Sequence, residues 1–255
     1  ANTSLVKNIL KKLDSIDIDG IIDSSSVGFL LEKEENSIYP TYLQTERPDI
    51  VATSLLEGKI AILVDTTPYA IIIPAFFIDF INPAIDNYNK SQNINFIKIL
   101  RFISFLISMI APAIYISLMN YNEETIPTSL LLNFAIQRSG VPFPTIIETS
   151  IMLIVCEILR ESDLRFPSNY GSAISILGAI VLGEASVNAG IASPITIIVI
   201  AITFISSLTF TNIELNNSLR FLRIIFILFS ALFGLYGVTL GLLFFLIYTI
   251  STRSF

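Results

Sequence analysis

Three carboxylates fall inside otherwise apolar stretches: Glu148, Glu157 and Glu184. A charge at membrane depth is expensive, so such a group normally faces a bundle interior, a partner or water. The chemistry open to it is an ion path or a gating contact, and Asn188 accompanies Glu184 as a further polar group on that path. Glu148 and Glu157 are nine positions apart, about 900° of rotation at ~100° per residue, which sets them on opposite helix faces. One straight helix cannot turn both to a single pore. The plainer alternatives are that Glu157 pairs with Arg160 or lies near the interface, and that Glu148 satisfies exposed backbone at a broken helix. Enzymatic constellations are absent: no His base, no phosphate-cradling Gly loop and no GxSxG string. Cys156, the single cysteine, sits among Ile, Val and Leu and reads as a small apolar residue rather than a nucleophile. No catalytic residue, no metal site of His or Cys, no disulfide and no cofactor is expected. Asp65, at a strand end, reads as a turn cap.

The elements that must position these groups divide the chain in two. Composition is 53% hydrophobic and 14% charged, with a mean hydropathy of +0.73. Residues 1–97 carry seven Lys/Arg against thirteen Asp/Glu, whereas residues 98–255 carry eight of each. An acidic head argues against nucleic acid as a partner. The expected fold class is mostly α: a polytopic helical membrane domain over 98–255 and a small α/β region over 1–97. In that region helices are expected to Leu13 (with Leu5, Ile9, Leu10 and Leu13 on one face), over Ile21–Glu32 and over Val51–Leu56. Residues 33–49 read as polar turns. Lys59–Asp65 and Tyr69–Ile73 read as a hairpin turning at Thr66-Thr67-Pro68. No N-terminal signal peptide is read, because Ala1 to Asp19 is polar and amphipathic. The start without Met and the end at Phe255 lead us to expect part of a longer protein.

Membrane spans, each needing about 20 residues, are expected at 99–119, 173–192, 194–210 and 219–250. A borderline segment at 145–159 could be re-entrant. The last run is either one tilted helix or two broken near Gly234 and Gly237. Lys98 and Arg101 before the first span, with Glu123 and Glu124 after it, place the N-terminal region in the cytoplasm. Thr128–Arg138 is read as an amphipathic helix on a surface or beside a passage, a second candidate for the conduction path. Gly178, Gly183, Gly237 and Gly241 are small residues that allow close helix packing, within the chain or between subunits. Pro112, Pro142, Pro144 and Pro194 mark bends or stops.

Several strings run in a fixed order. They include Thr45-Glu46-Arg47-Pro48-Asp49, Glu57-Gly58 with Asp65, Arg138-Ser139-Gly140-Val141-Pro142-Phe143-Pro144, Glu157-Ile158-Leu159-Arg160-Glu161 and Ala189-Gly190-Ile191-Ala192-Ser193-Pro194. The series resembles the GerA-type spore germination proteins, the A subunits of spore germinant receptors, from about residue 4 to the end. The stage V sporulation AF proteins are a sister group of the same fold. The resemblance implies a multi-pass protein of the spore inner membrane. It would be surrounded by lipid, partnered by a transporter-like B subunit and a lipoprotein C subunit, and assembled as a homo-oligomer into a nutrient-gated ion channel. A non-conducting scaffold and a secondary transporter are the alternatives. Glu184 stands where the family more often has Gln. The nutrient, the ion and the ring size are not readable here.

Overall fold

The computed structural model describes residues 3–251 apart from 19, 22, 33–37, 39, 66, 82–90, 166–177, 179 and 211. Among these the chain divides into two compact units. The first joins residues 1–102 to the short segments 210–218 and 246–255, and the second holds 103–209 and 219–245.

In the first unit, helix α1 (Thr3–Asp14) and helix α2 (Ser24–Glu32) cover a sheet of three antiparallel strands: β1 (Leu43–Thr45), β2 (Ile60–Leu63) and β3 (Ala70–Ile73). The spatial order is β1-β3-β2. The expected hairpin is β2 with β3, in the register Ile62↔Ile71. β1 lies within the stretch read as turns: three residues are too few to show an alternating pattern, and its pairing is supplied by the other edge of β3 (Gln44↔Ile71). This explains the unbroken Ala-Ile-Ile-Ile run. As the central strand, β3 is buried throughout, and a strand covered on both faces needs no polar alternation. Ile71 and Ile73 join Ile9, Val27, Leu31 and Tyr42 in the core, with Leu5 and Leu13 packed against it. Leu10, expected on the same face, is exposed, because one residue past Ile9 turns it about 100° off the stripe. Helix α3 (Pro48–Leu56) packs against all three strands. Helix α4 (Phe77–Ile81) follows β3, and its Asp79 pairs with Lys59 at 2.8 Å.

Tyr42 carries the most constrained contact of this unit. Its hydroxyl donates to Glu214, which lies in the 210–218 segment of the same unit. Burial first, and then this bond to Glu214, hold the phenol well above the ordinary tyrosine value, so it remains a donor. Room for its ring exists because position 28 has no side chain: a Cβ there would lie 2.5 Å from the ring carbons of Tyr42. Glycine inside an exposed helix costs about 1 kcal/mol relative to alanine. Here overpacking outweighs that gain, and we expect Gly28→Ala to lower stability by about 1–3 kcal/mol. Thermal unfolding of the detergent-solubilised protein checks this, and a raised midpoint would refute it.

The second unit is helical. Helix α5 (Ser91–Asn120) enters it. Then come a single 3-10 turn at Glu123–Thr125, α6 (Thr128–Arg138), α7 (Thr145–Arg165), α8 over 180–188, α9 (Pro194–Ser207) and α10 (Ile213–Ser251). Among the described residues two helices, Ile94–Asn120 and Glu214–Ser251, are long and apolar enough to cross a membrane. The borderline segment at 145–159 belongs to α7, one continuous helix of 21 residues. The run expected to span from 194 holds a helix of 14 residues, about 21 Å at 1.5 Å per residue and short of a bilayer core. Of the run expected at 173–192, residues 173–177 and 179 lie outside the described residues, and 180–188 form α8.

The 39 residues of α10 do not form one rod. Gly234 takes φ 61° and ψ −142°, a conformation open essentially to glycine alone, and the helix doubles back there. A Cβ on Gly241 would lie 2.9 Å from the ring of Phe226, although 15 residues of straight helix would separate the two by about 22 Å. The rings of Phe105 and Phe245 lie 5.9 Å apart, while Ser108 on the next turn of α5 meets Arg223. The limbs 213–233 and 235–251 are therefore antiparallel, about 32 and 26 Å long. Helix ends expose unpaired backbone groups, and the loop after α5 serves both ends at this corner: Tyr121 donates to the carbonyl of Ala231, and Asn122 Oδ1 accepts from the amide of Leu235.

Candidate functional site

Among the described residues of the second unit two charged clusters form, one around Glu148 and one around Glu157, both on α7. Glu148 stands in the first turn of α7 with its side chain fully buried. Its Oε1 accepts from the amide (2.6 Å) and the hydroxyl (2.7 Å) of Ser193. Ser193 is the N-cap of α9, and its Oγ in turn accepts from Thr196 N at 3.4 Å. Thr196 Oγ1 shares a 2.8 Å hydrogen bond with Tyr115 of α5. On the other side, Arg138 at the end of α6 brings Nε to 3.7 Å from Glu148 Oε2. One carboxylate thus links α6, α7 and α9, and through Thr196 reaches α5. The backbone-satisfying role considered for Glu148 is the one seen, with an ion pair added.

The same contacts explain two of the ordered strings. Arg138-Ser139-Gly140 and Ala189-Gly190 through Ser193 meet backbone to backbone. Gly190 takes φ 68° and a Cβ there would lie 2.8 Å from the carbonyl oxygen of Gly140. Its left-handed turn ends α8 through Ile191 N→Ser186 O and Gly190 N→Val187 O, the paired bonds of a glycine C-cap.

Glu157 occupies the second cluster. Arg220 Nε lies 3.0 Å from its Oε2, Arg223 Nη1 3.4 Å from Oε1 and Arg160 Nη1 3.9 Å from Oε1. Arg223 is almost wholly buried, and its Nε donates to the carbonyl of Ser108 at 2.8 Å. That carbonyl is free because its helical partner would be residue 112, which is proline. Arg160 donates to Ser207 Oγ, and its guanidinium sits 4.7 Å from the ring centroid of Phe204. Arg160 is the expected partner, and Arg220 and Arg223 lie closer. The signal for them was present, since arginines three apart in an apolar run need a carboxylate or a carbonyl on a neighbouring helix.

Glu184 and Asn188 join neither cluster. Both lie exposed on α8, beside the exposed Ile180, Val181 and Leu182. Helix α6 buries no residue. Leu131 and Phe134 are half-buried, whereas Leu130, Leu132 and Ile136 are exposed. Cys156 is half-buried against Met152, Ala192 and Ile200. Gly178 approaches Leu159, to which a Cβ would lie 3.0 Å, while Gly183 has ordinary room. Gly237 lies against the carbonyl of Phe229 and Gly241 against Phe226, so both face the other limb of α10.

In the first unit the Thr45–Asp49 string builds the turn from β1 into α3. Thr45 Oγ1 accepts from Arg47 N at 3.2 Å, and Pro48 opens α3 with Arg47 at the N-cap. The Arg47 fork holds Asp49 at 3.1 and 2.7 Å. That hydrogen bond keeps the Asp49 carboxyl below its usual range. Glu46 is exposed. Glu57 is the C-cap of α3 and pairs with Lys59 at 3.3 Å, and Gly58 follows with φ 87°. Asp65 is exposed in the turn after β2.

The family described as Bacillus/Clostridium GerA spore germination protein matches this chain over residues 1–255. Spore germination protein KA of Bacillus subtilis is 43% identical over 251 residues, which is 98% of this chain and 46% of that protein. Spore germination protein GerLA of Bacillus cereus is 38% identical over 242 residues, 95% of this chain and 49% of that protein. The uncharacterized membrane protein YfkQ of Bacillus subtilis is 35% identical over 255 residues, 100% of this chain and 50% of that protein. The chain therefore spans about half the length of the curated relatives it matches. No solved structure matches. With the ordered strings now accounted for by the packing of α3, α6, α7 and α9, and with the family match running from end to end, the chain belongs to the GerA family of spore germination proteins.

Proposed function

We propose that this chain is the membrane-embedded part, with its adjoining α/β region, of an A-type subunit of a spore nutrient germinant receptor. In this reading it crosses the spore inner membrane several times, keeps the N-terminal region in the cytoplasm, and oligomerises to form or gate the channel that releases ions at germination. A transporter-like B subunit and a lipoprotein C subunit complete the receptor. The observation that carries the channel reading is the exposure of Glu184 and Asn188 on α8. An ionised carboxylate turned toward hydrocarbon is costly, whereas water in a conduit or a second copy of the chain receives it readily.

The first unit supplies the gating handle. It contains both ends of α10: Tyr42 holds Glu214 near the first end, and the amide of Ile38 donates to Tyr248 Oη at 2.6 Å near the second. In addition, Arg101, near the start of α5, donates to the carbonyl of Ile81 at 2.6 Å. A displacement of the α/β region therefore pulls on α5 and on both limbs together.

Planar-bilayer recording of the purified oligomer tests the proposal. Glu184→Gln is expected to reduce cation-over-anion selectivity several-fold while leaving assembly intact, since it deletes a charge and keeps the shape. Currents of unaltered selectivity would remove Glu184 from the path. An oligomer that conducts under no nutrient would leave the A subunit as an assembly scaffold.

A further inference from the structure

The Glu157 cluster is unbalanced in charge. Three guanidiniums, Arg160, Arg220 and Arg223, converge on one carboxylate. Arginine stays protonated in proteins, so among the described contacts the cluster carries two positive charges in excess. Its donors are also underused: Arg223 Nη2 and Arg160 Nε are buried with no hydrogen-bond partner, and Arg220 Nε and Arg160 Nη1 meet only Glu157, at 3.0 and 3.9 Å. Arg223 is 5% exposed at its side chain and cannot swing out to water, because Ser108 holds its Nε. Arg160 is likewise fixed by Ser207 and stacked on Phe204. These donors come from two helices and point into one place. Surplus charge and unmet donors in a site of low dielectric call for an anion with several acceptor oxygens.

We propose that Arg160, Arg220 and Arg223 form a binding site for a phosphate group, which Glu157 partly occupies in its place. Planar guanidiniums match phosphate oxygens in pairs. A free phosphate would enter as the ion, whereas a lipid would offer its headgroup at the same nitrogens. Glu157 then acts as an internal competitor: it neutralises one charge and holds Arg220 and Arg223 apart from the ligand. The inference does not depend on the conduction reading, which rests on Glu184 and Asn188.

The test uses the intact protein, stripped of lipid in detergent. Inorganic phosphate is titrated calorimetrically in one arm. In the other, micelles are doped with phosphatidylglycerol or with uncharged diacylglycerol, and retained lipid is read by native mass spectrometry. Binding of phosphate alone identifies a free anion as the occupant; retention of phosphatidylglycerol but not diacylglycerol identifies a lipid headgroup. Either result supports the site, and a protein that binds neither phosphate nor phosphatidylglycerol overturns it.

The variants separate a ligand site from a structural knot. Arg220→Gln is expected to weaken binding about tenfold, the effect of one charge-assisted contact, and Arg220→Lys to restore part of it. Glu157→Gln is expected to tighten binding, again by about tenfold, because it removes the competitor and raises the surplus charge. A purely structural cluster would behave oppositely, Glu157→Gln destabilising the fold and binding nothing more tightly. Should Arg220→Gln fail to fold, the Glu157→Gln arm decides alone: unchanged or weaker binding refutes the proposal.

Discussion

Glu148→Ala is expected to lower the unfolding free energy by about 3–5 kcal/mol, the scale for removing one partner of a buried ion pair. The figure reflects what is left behind more than what is lost. Ser193 keeps a buried amide without its acceptor, its hydroxyl is left with Thr196 Oγ1 alone at 3.0 Å, and Arg138 keeps a charge without its carboxylate. An unsatisfied buried donor costs about 1–3 kcal/mol by itself.

Glu148→Gln separates the two contributions. Its amide oxygen still accepts from Ser193, so the bonds survive while the ion pair goes, and an intermediate loss is expected. The double replacement Arg138→Met with Glu148→Leu removes both charges and recovers part of the loss. It leaves the Ser193 amide unmet, so recovery stays incomplete. Chemical unfolding in detergent, followed by circular dichroism, measures all four proteins. If Glu148→Ala fell within about 0.5 kcal/mol of the parent, the range for ordinary surface positions, the cluster would not be holding these helices together.

Gly234→Ala is expected to disrupt the α10 hairpin. The backbone conformation there (φ 61°, ψ −142°) costs a residue with a side chain about 1–3 kcal/mol. The new methyl would also lie 2.9 Å from Tyr121 Cβ, which adds overpacking of about 1–3 kcal/mol. The two penalties share a remedy, opening of the corner, and that would release the caps given by Tyr121 and Asn122. Gly237→Ala pushes in the same direction, because its Cβ would run into the carbonyl of Phe229. Backbone there cannot yield without parting the limbs.

A cross-linking measurement reads the geometry directly. The rings of Phe229 and Phe244 lie 6.4 Å apart, against about 22 Å along a straight helix. Cysteines at these two positions, in a Cys156→Ser background, should be joined by a short bifunctional thiol reagent. In Gly234→Ala the yield is expected to fall several-fold together with the thermal midpoint. Equal yield and equal midpoint would show that the corner does not need glycine.

What the sequence by itself determined was of two kinds. Local grammar was legible: Pro48 opening α3, the β-branched runs of β2 and β3, Gly58 after α3, and the long apolar runs that must leave water. The ordered strings also pointed to the family before any coordinates. Such features are set by neighbours within a few residues, and periodicity or backbone restriction reports them. Pairing across the fold was not legible. Helical spacing says that Glu148 and Glu157 face apart, but not that one would meet Ser193, 45 positions on, and the other Arg220 and Arg223, more than 60 positions on. Nor could hydropathy decide between a rod and a hairpin for α10, since the run is equally apolar in either form. Tertiary structure decided these because a buried charge takes whichever partner packing brings within a few ångströms, and because only the corner at Gly234, held by Tyr121 and Asn122, turns one apolar run into two antiparallel helices.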